Sequence, residues 1–164
     1  MIGFRNRLDR FLEALVVVLT AALALIVFVG VVFRKSGASL VWYDEVASIT
    51  LCWLTYYGAS LAALRRAHIG FPRWVASLSP GPRRLMLILR ATIVVGFFAV
   101  VAWAGWRVVG ALDGFYMVSL PEVSQQITQS VIPIGAVLFI VAELVNFVQS
   151  WSEIEAAASE GHSE

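Results

Sequence analysis

Four apolar runs, each near the roughly 20 residues a helix needs to cross the hydrocarbon of a bilayer, constrain this chain more than anything else in it. They occupy residues 14–33, 46–64, 85–106 and 123–142, the third interrupted once by Arg90. Where water is absent the backbone must satisfy its own polar groups. Runs this long, without the two-residue alternation of barrel strands, do so as helices. The expected fold is an all-α membrane protein. Four transmembrane helices form a single domain over residues 1–164, and a polar C-terminal tail at 149–164 continues as a fraying helix or stays loose. Composition agrees, with 60% of the 164 residues hydrophobic and 14% charged and a mean hydropathy of +0.83. Ordinary soluble domains carry about 25% charged residues.

Several function classes fall away at once. The segments between the runs are too short to hold a soluble domain, and no Walker-type glycine loop occurs, so an energy source or globular receptor has to be another chain. With 12 basic and 11 acidic residues and a net charge of +1, no basic face exists to neutralise phosphates, and nucleic acid is not expected as a partner. The single cysteine, Cys52, lies inside an apolar run and offers neither a disulfide nor a thiolate cluster. Arg5, Arg7 and Arg10 precede the first run, and Ala22-Leu23-Ala24 imitates a signal cleavage site. The apolar stretch nevertheless continues well past that point, beyond the roughly 7–15 residues of a signal core, which reads as a retained anchor.

Positive charge in the short loops sets the expected orientation. Arg5, Arg7, Arg10, Arg65, Arg66, Arg73, Arg83 and Arg84 fall on one side, against Arg34, Lys35 and Arg107 on the other, so both termini are expected in the cytoplasm. Asp44 and Glu45 at the start of the second run and Arg65 and Arg66 at its end match the helix dipole, and capping alone explains them. The piece Arg73-Trp74-Val75-Ala76-Ser77-Leu78 mixes a cation with apolar residues, as a segment along the headgroups would, and reads equally well as plain loop.

A protein that itself moves ions keeps ionisable groups near mid-bilayer. Here Arg90 is placed to snorkel to the headgroups and Glu143 closes the fourth run near water. The fourth helix is the most polar, with Gln125, Gln126, Thr128, Gln129 and Ser130 in its outer half. At about 100° per residue Gln125, Gln129 and Glu143 form one stripe that should face protein, either the chain's own helices or another subunit. Pro133 lies on the same side, placed to kink the helix. Gly58 and Ala62, or Ala59 and Ala63, are small pairs that admit a neighbouring backbone. His68 has only His162 as a fellow histidine, so no metal site is expected, and no nucleophile, paired-carboxylate or cofactor constellation is visible. The chain reads as non-enzymatic and free of cofactors.

The ordered pattern from Arg34 through Trp42, Asp44-Glu45, Trp53, Tyr56-Tyr57-Gly58-Ala59 and Arg65-Arg66 to His68-Ile69 resembles the small permease, or Q subunit, of tripartite ATP-independent periplasmic (TRAP) transporters. That resemblance implies a bacterial inner-membrane complex. A periplasmic solute-binding protein captures an organic acid, and a large permease (M) subunit carries the substrate and sodium sites and moves the solute inward. The small subunit acts as a fixed brace for the large one, embedded among membrane lipids. Arg34, Trp42, Asp44, Glu45, Trp53, Gly58, Arg65, Arg66 and His68, with Gln125, Gln129 and Glu143 from the fourth helix, are the candidate partner-interface residues. The competing reading is a small self-sufficient transporter or channel built by oligomerisation, motivated by the glutamine-rich fourth span.

Overall fold

A computed structural model describes residues 2–67 and 80–160. The described chain is helical, as α1 (Ile2–Lys35), α2 (Tyr43–Leu64), α3 (Pro80–Ala111), α4 (Gln125–Gln129) and α5 (Val131–Glu160). Four helices, counting α4 and α5 as one, are long and apolar enough to cross a membrane. The helices outrun the apolar runs because helix ends are set by breakers and not by hydropathy. α1 stops where Gly37 takes a positive φ of 81°, a region glycine enters without strain. α2 stops in a Schellman turn, with Ala67 N donating to Ala62 O at 2.9 Å and Arg66 N to Ala63 O at 3.0 Å. The left-handed position in that turn is Arg66, at φ 53°.

The fourth span is not continuous. Pro133 has no N–H for the carbonyl of Gln129, and its ring crowds that carbonyl. α4 accordingly ends at Gln129 and α5 begins after Ser130, with Ser130 N falling back to Ile127 O at 3.3 Å and Ile134 N resuming the ladder on Ser130 O at 3.2 Å. The kink expected from Pro133 in the fourth helix takes the form of this break between α4 and α5. Ser124 caps α4 by accepting from Gln126 N at 3.2 Å.

Packing runs in an open row, α1 on α2, α2 on α5, and α5 on α3. Arg5 reaches Leu64, Arg66 reaches Glu153 and Arg84 reaches Trp151, so the first residues, the end of α2, the start of α3 and the end of α5 share one end of the row, the terminal end. The 36–42 and 112–124 connections share the other, the loop end. Burial follows the order. In the most apolar stretch of each helix 44% of the α4–α5 residues are buried, against 6% in α1 and none in α3. The core comprises Leu12, Tyr57, Ala63, Leu64, Val131, Phe139 and Ala142.

Candidate partner interface

The seam between the central helices is built from small residues and backbone-directed hydrogen bonds. Tyr56, Ser60 and Ala63 recur at the helical period on α2, and Gly135, Phe139, Ala142 and Asn146 do so on α5. Gly135 sits so close to Tyr56 that a Cβ there would lie 2.7 Å from the tyrosine Cβ. The Ser60 hydroxyl is shared between Tyr56 O at 2.9 Å and Gly135 O at 3.2 Å. Trp53 Nε1 donates to Thr128 O at 2.8 Å, and Asn146 Nδ2 to Ala63 O at 2.6 Å. In a membrane, where helix association gains nothing from expelling water, close packing and such interhelical bonds hold helices together.

On the other flank of α2, the Arg65 guanidinium clasps α1 through Asp9 at 2.7 Å and Glu13 at 2.8 Å. The Asp9 bond above all, with Glu13 second, holds the Arg65 proton more tightly than in an ordinary arginine. Arg5 Nη2 donates to Leu64 O at 3.2 Å, filling one of the open carbonyls at the end of α2. Arg66 turns the opposite way, to Glu153 at 3.4 Å and Asn146 O at 3.5 Å on α5. The adjacent arginines therefore tie α2 to both neighbours, a role that dipole matching alone does not describe.

Between α3 and α5 the contacts climb in antiparallel register. Arg84 lies over Trp151, Arg90 pairs with Glu143, Phe98 stacks on Phe139, Gly105 meets Ile132 and Pro133, and Gln126 Nε2 donates to Val109 O at 3.2 Å. The Arg90–Glu143 pair corrects two expectations. Glu143 does not end near water, its side chain being only 5% exposed, and Arg90 does not simply snorkel, because its Nη2 lies 2.8 Å from a Glu143 oxygen. The buried carboxylate is tolerable because its charge is paired.

At the loop end, Trp42 occupies the N-cap position of α2 and makes no side-chain cap. Glu45, in the first turn, reaches across to the 112–124 connection, accepting from Val118 N at 3.3 Å, Ser119 N at 2.9 Å and the Ser119 hydroxyl. That connection doubles back on itself through a Tyr116–Ser124 bridge. Glu45 is thus more than a helix cap, since it staples the long connection onto α2. Asp44 is exposed beside it.

The remaining candidates do not converge. Gln125 Nε2 bonds Tyr116 O at 3.3 Å, while Glu143 engages α3, so the expected stripe of Gln125, Gln129 and Glu143 is not one surface. It is Gln126 that bonds α3, and no signal in the sequence singled it out from its neighbours. Arg34 is exposed near the loop end. Around Gly58 a Cβ would meet nothing within 4 Å. The close approach between α2 and α5 is at Gly135, and nothing in the chain lies against Gly58. His68 and the Arg73–Leu78 piece lie outside the described residues, as does His162. Among the described residues no group of three or more His, Cys, Asp and Glu is placed to hold a metal.

A family model described as "Tripartite ATP-independent periplasmic transporters, DctQ component" matches residues 23–153. Comparison with curated proteins returns no match.

Proposed function

Because the chain belongs to the DctQ component family of tripartite ATP-independent periplasmic transporters, we propose that this multi-pass membrane subunit is the stationary brace of its transporter. It binds the large permease in the bacterial inner membrane with both termini in the cytoplasm. The large permease carries the sodium and organic-acid sites, and a periplasmic binding protein delivers the solute. The observation that supports this reading is the open row. In the most apolar stretch of its two outer helices almost no residue is fully buried within the chain, and nothing in the chain lies against Gly58 of α2, whereas Glu143, the one buried carboxylate among the described residues, is already satisfied by Arg90. A chain with broad bare flanks and a neutralised interior suits holding a neighbour better than passing an ion.

Co-expression with a large permease and a binding protein tests this. The two membrane chains should leave detergent as one complex, and uptake of the organic acid should require all three. Gly58→Leu should lower complex yield on size exclusion while leaving the subunit itself folded. Full uptake without this chain, or saturable solute flux by this chain alone in liposomes, would refute the brace and favour the self-sufficient transporter.

A further inference from the structure

We propose that Arg83 and Arg84, at the start of α3 beside Trp151, bind the phosphate of an anionic glycerophospholipid in the leaflet at the terminal end. The other arginines of α2 and α3 near this end are neutralised. Arg65 holds Asp9 and Glu13, Arg66 holds Glu153, and Arg90 holds Glu143. Arg83 and Arg84 pair with no carboxylate among the described residues, the nearby Glu155 being held by the Trp151 indole. The Arg84 guanidinium instead lies 5.5 Å from the centre of the Trp151 ring. That ring is itself fixed, its Nε1 donating to Glu155 at 2.8 Å and its face leaning on Phe147 at 5.9 Å. An aromatic platform orients a guanidinium without consuming its charge, leaving its donors for an anion.

One of those donors is already in want of a partner. Arg84 Nε is buried and has no acceptor, an arrangement proteins avoid unless a water, ion or ligand completes it. Two adjacent arginines present the forked donors that match phosphate oxygens. What lies beneath them chooses the kind of phosphate. The apolar run begins at the next residue, and Ile88, one turn below Arg84 on the same side of α3, is 43% exposed. A charged end with a greasy body directly below it is the shape of a phospholipid, and a free phosphate leaves the lower half of the site unused. The inference needs α3 to cross a membrane but not that the chain braces a permease, so it can fail while that reading stands, and the reverse.

The test uses the full chain in mild detergent, stripped of lipid and titrated with phosphatidylglycerol, phosphatidylcholine or inorganic phosphate while thermal unfolding is followed. Phosphatidylglycerol should raise the midpoint, phosphatidylcholine much less, and inorganic phosphate not at all. Combining Arg83→Gln with Arg84→Gln should weaken the apparent phosphatidylglycerol affinity by about tenfold or more, the loss of a charge-assisted contact. Arg7→Gln with Arg10→Gln, removing the same charge at the same end, should leave it unchanged. If the double variant does not fold, Arg84→Lys keeps the charge but lacks the fork, and should show the same loss. Equal responses to the two lipids, a response to inorganic phosphate matching that to lipid, or an equal loss in the Arg7 and Arg10 control would overturn the site.

Discussion

Gly135→Ala tests the central seam with one methyl group. A Cβ built at Gly135 lies 2.7 Å from Tyr56 Cβ, 2.9 Å from Cδ1 and 3.1 Å from Cγ, whereas carbon atoms rest at about 3.5–4.0 Å. Tyr56 Cβ belongs to the α2 backbone scaffold and cannot swing aside, so α2 and α5 must part locally by about 1 Å. The Ser60 hydroxyl bond to Gly135 O, now 3.2 Å, would then pass out of range. Overpacking costs about 1–3 kcal/mol, and the lost interhelical bond about 0.6 kcal/mol more. Alanine's helix preference over glycine, about 0.8–1.0 kcal/mol, works in the opposite direction. It cancels when Gly58→Ala, where nothing lies within 4 Å, serves as the reference. Gly135→Ala should therefore be about 2–4 kcal/mol less stable than Gly58→Ala by reversible unfolding in mixed micelles. Equal stability of the two variants would mean that the seam is not closely packed at Gly135, and the argument from small residues would fail with it.

Two further outcomes follow from the polar contacts. Arg90→Leu should destabilise the chain by about 2 kcal/mol, below the usual 3–5 for a broken buried pair because the Arg90 side chain is itself 58% exposed. Adding Glu143→Leu should recover more than half of that loss; a double variant no better than the single in micelle unfolding would show that the buried carboxylate was not the source. Trp53→Phe keeps an aromatic ring but removes the pyrrole half of the indole and with it the 2.8 Å bond to Thr128 O. It should cost about 1 kcal/mol and speed hydrogen exchange in α4, and unchanged exchange there would sever the link between Trp53 and that short helix.

What could be read from the sequence was what the bilayer dictates. Runs of apolar residues locate segments that lipid will solvate, and every such run contains a helix in the structure. Hydropathy is silent on where helices end outside lipid, which is why α1 extends back to Ile2 through Arg5, Asp9 and Glu13. Those charged residues stay helical because Arg65 and Leu64 of α2 supply their partners. Pairings between distant residues were equally illegible. Nothing local to Glu143 announces Arg90, and nothing in Asp44-Glu45 distinguishes an ordinary helix start from the staple that Glu45 makes to Ser119. The glycine readings show the same limit. Gly58 and Gly135 both sit in apolar helices, and only the lateral order of the helices decides which one meets a tyrosine and which one meets nothing.

That lateral order has a bearing on biogenesis. α5 is synthesised last, yet it occupies the slot between α2 and α3 and carries the buried side chains of Val131, Ala136, Phe139, Ala142, Glu143, Asn146 and Ile154. Until its residues leave the ribosome, α3 has only the five-residue α4 to dock on among the described helices, and of the long helices α1 pairs with α2. The polypeptide is thus completed from its C-terminus inward, like an arch awaiting its keystone. A nascent chain cut short before α5 would leave a hairpin and a lone rod adrift in the lipid.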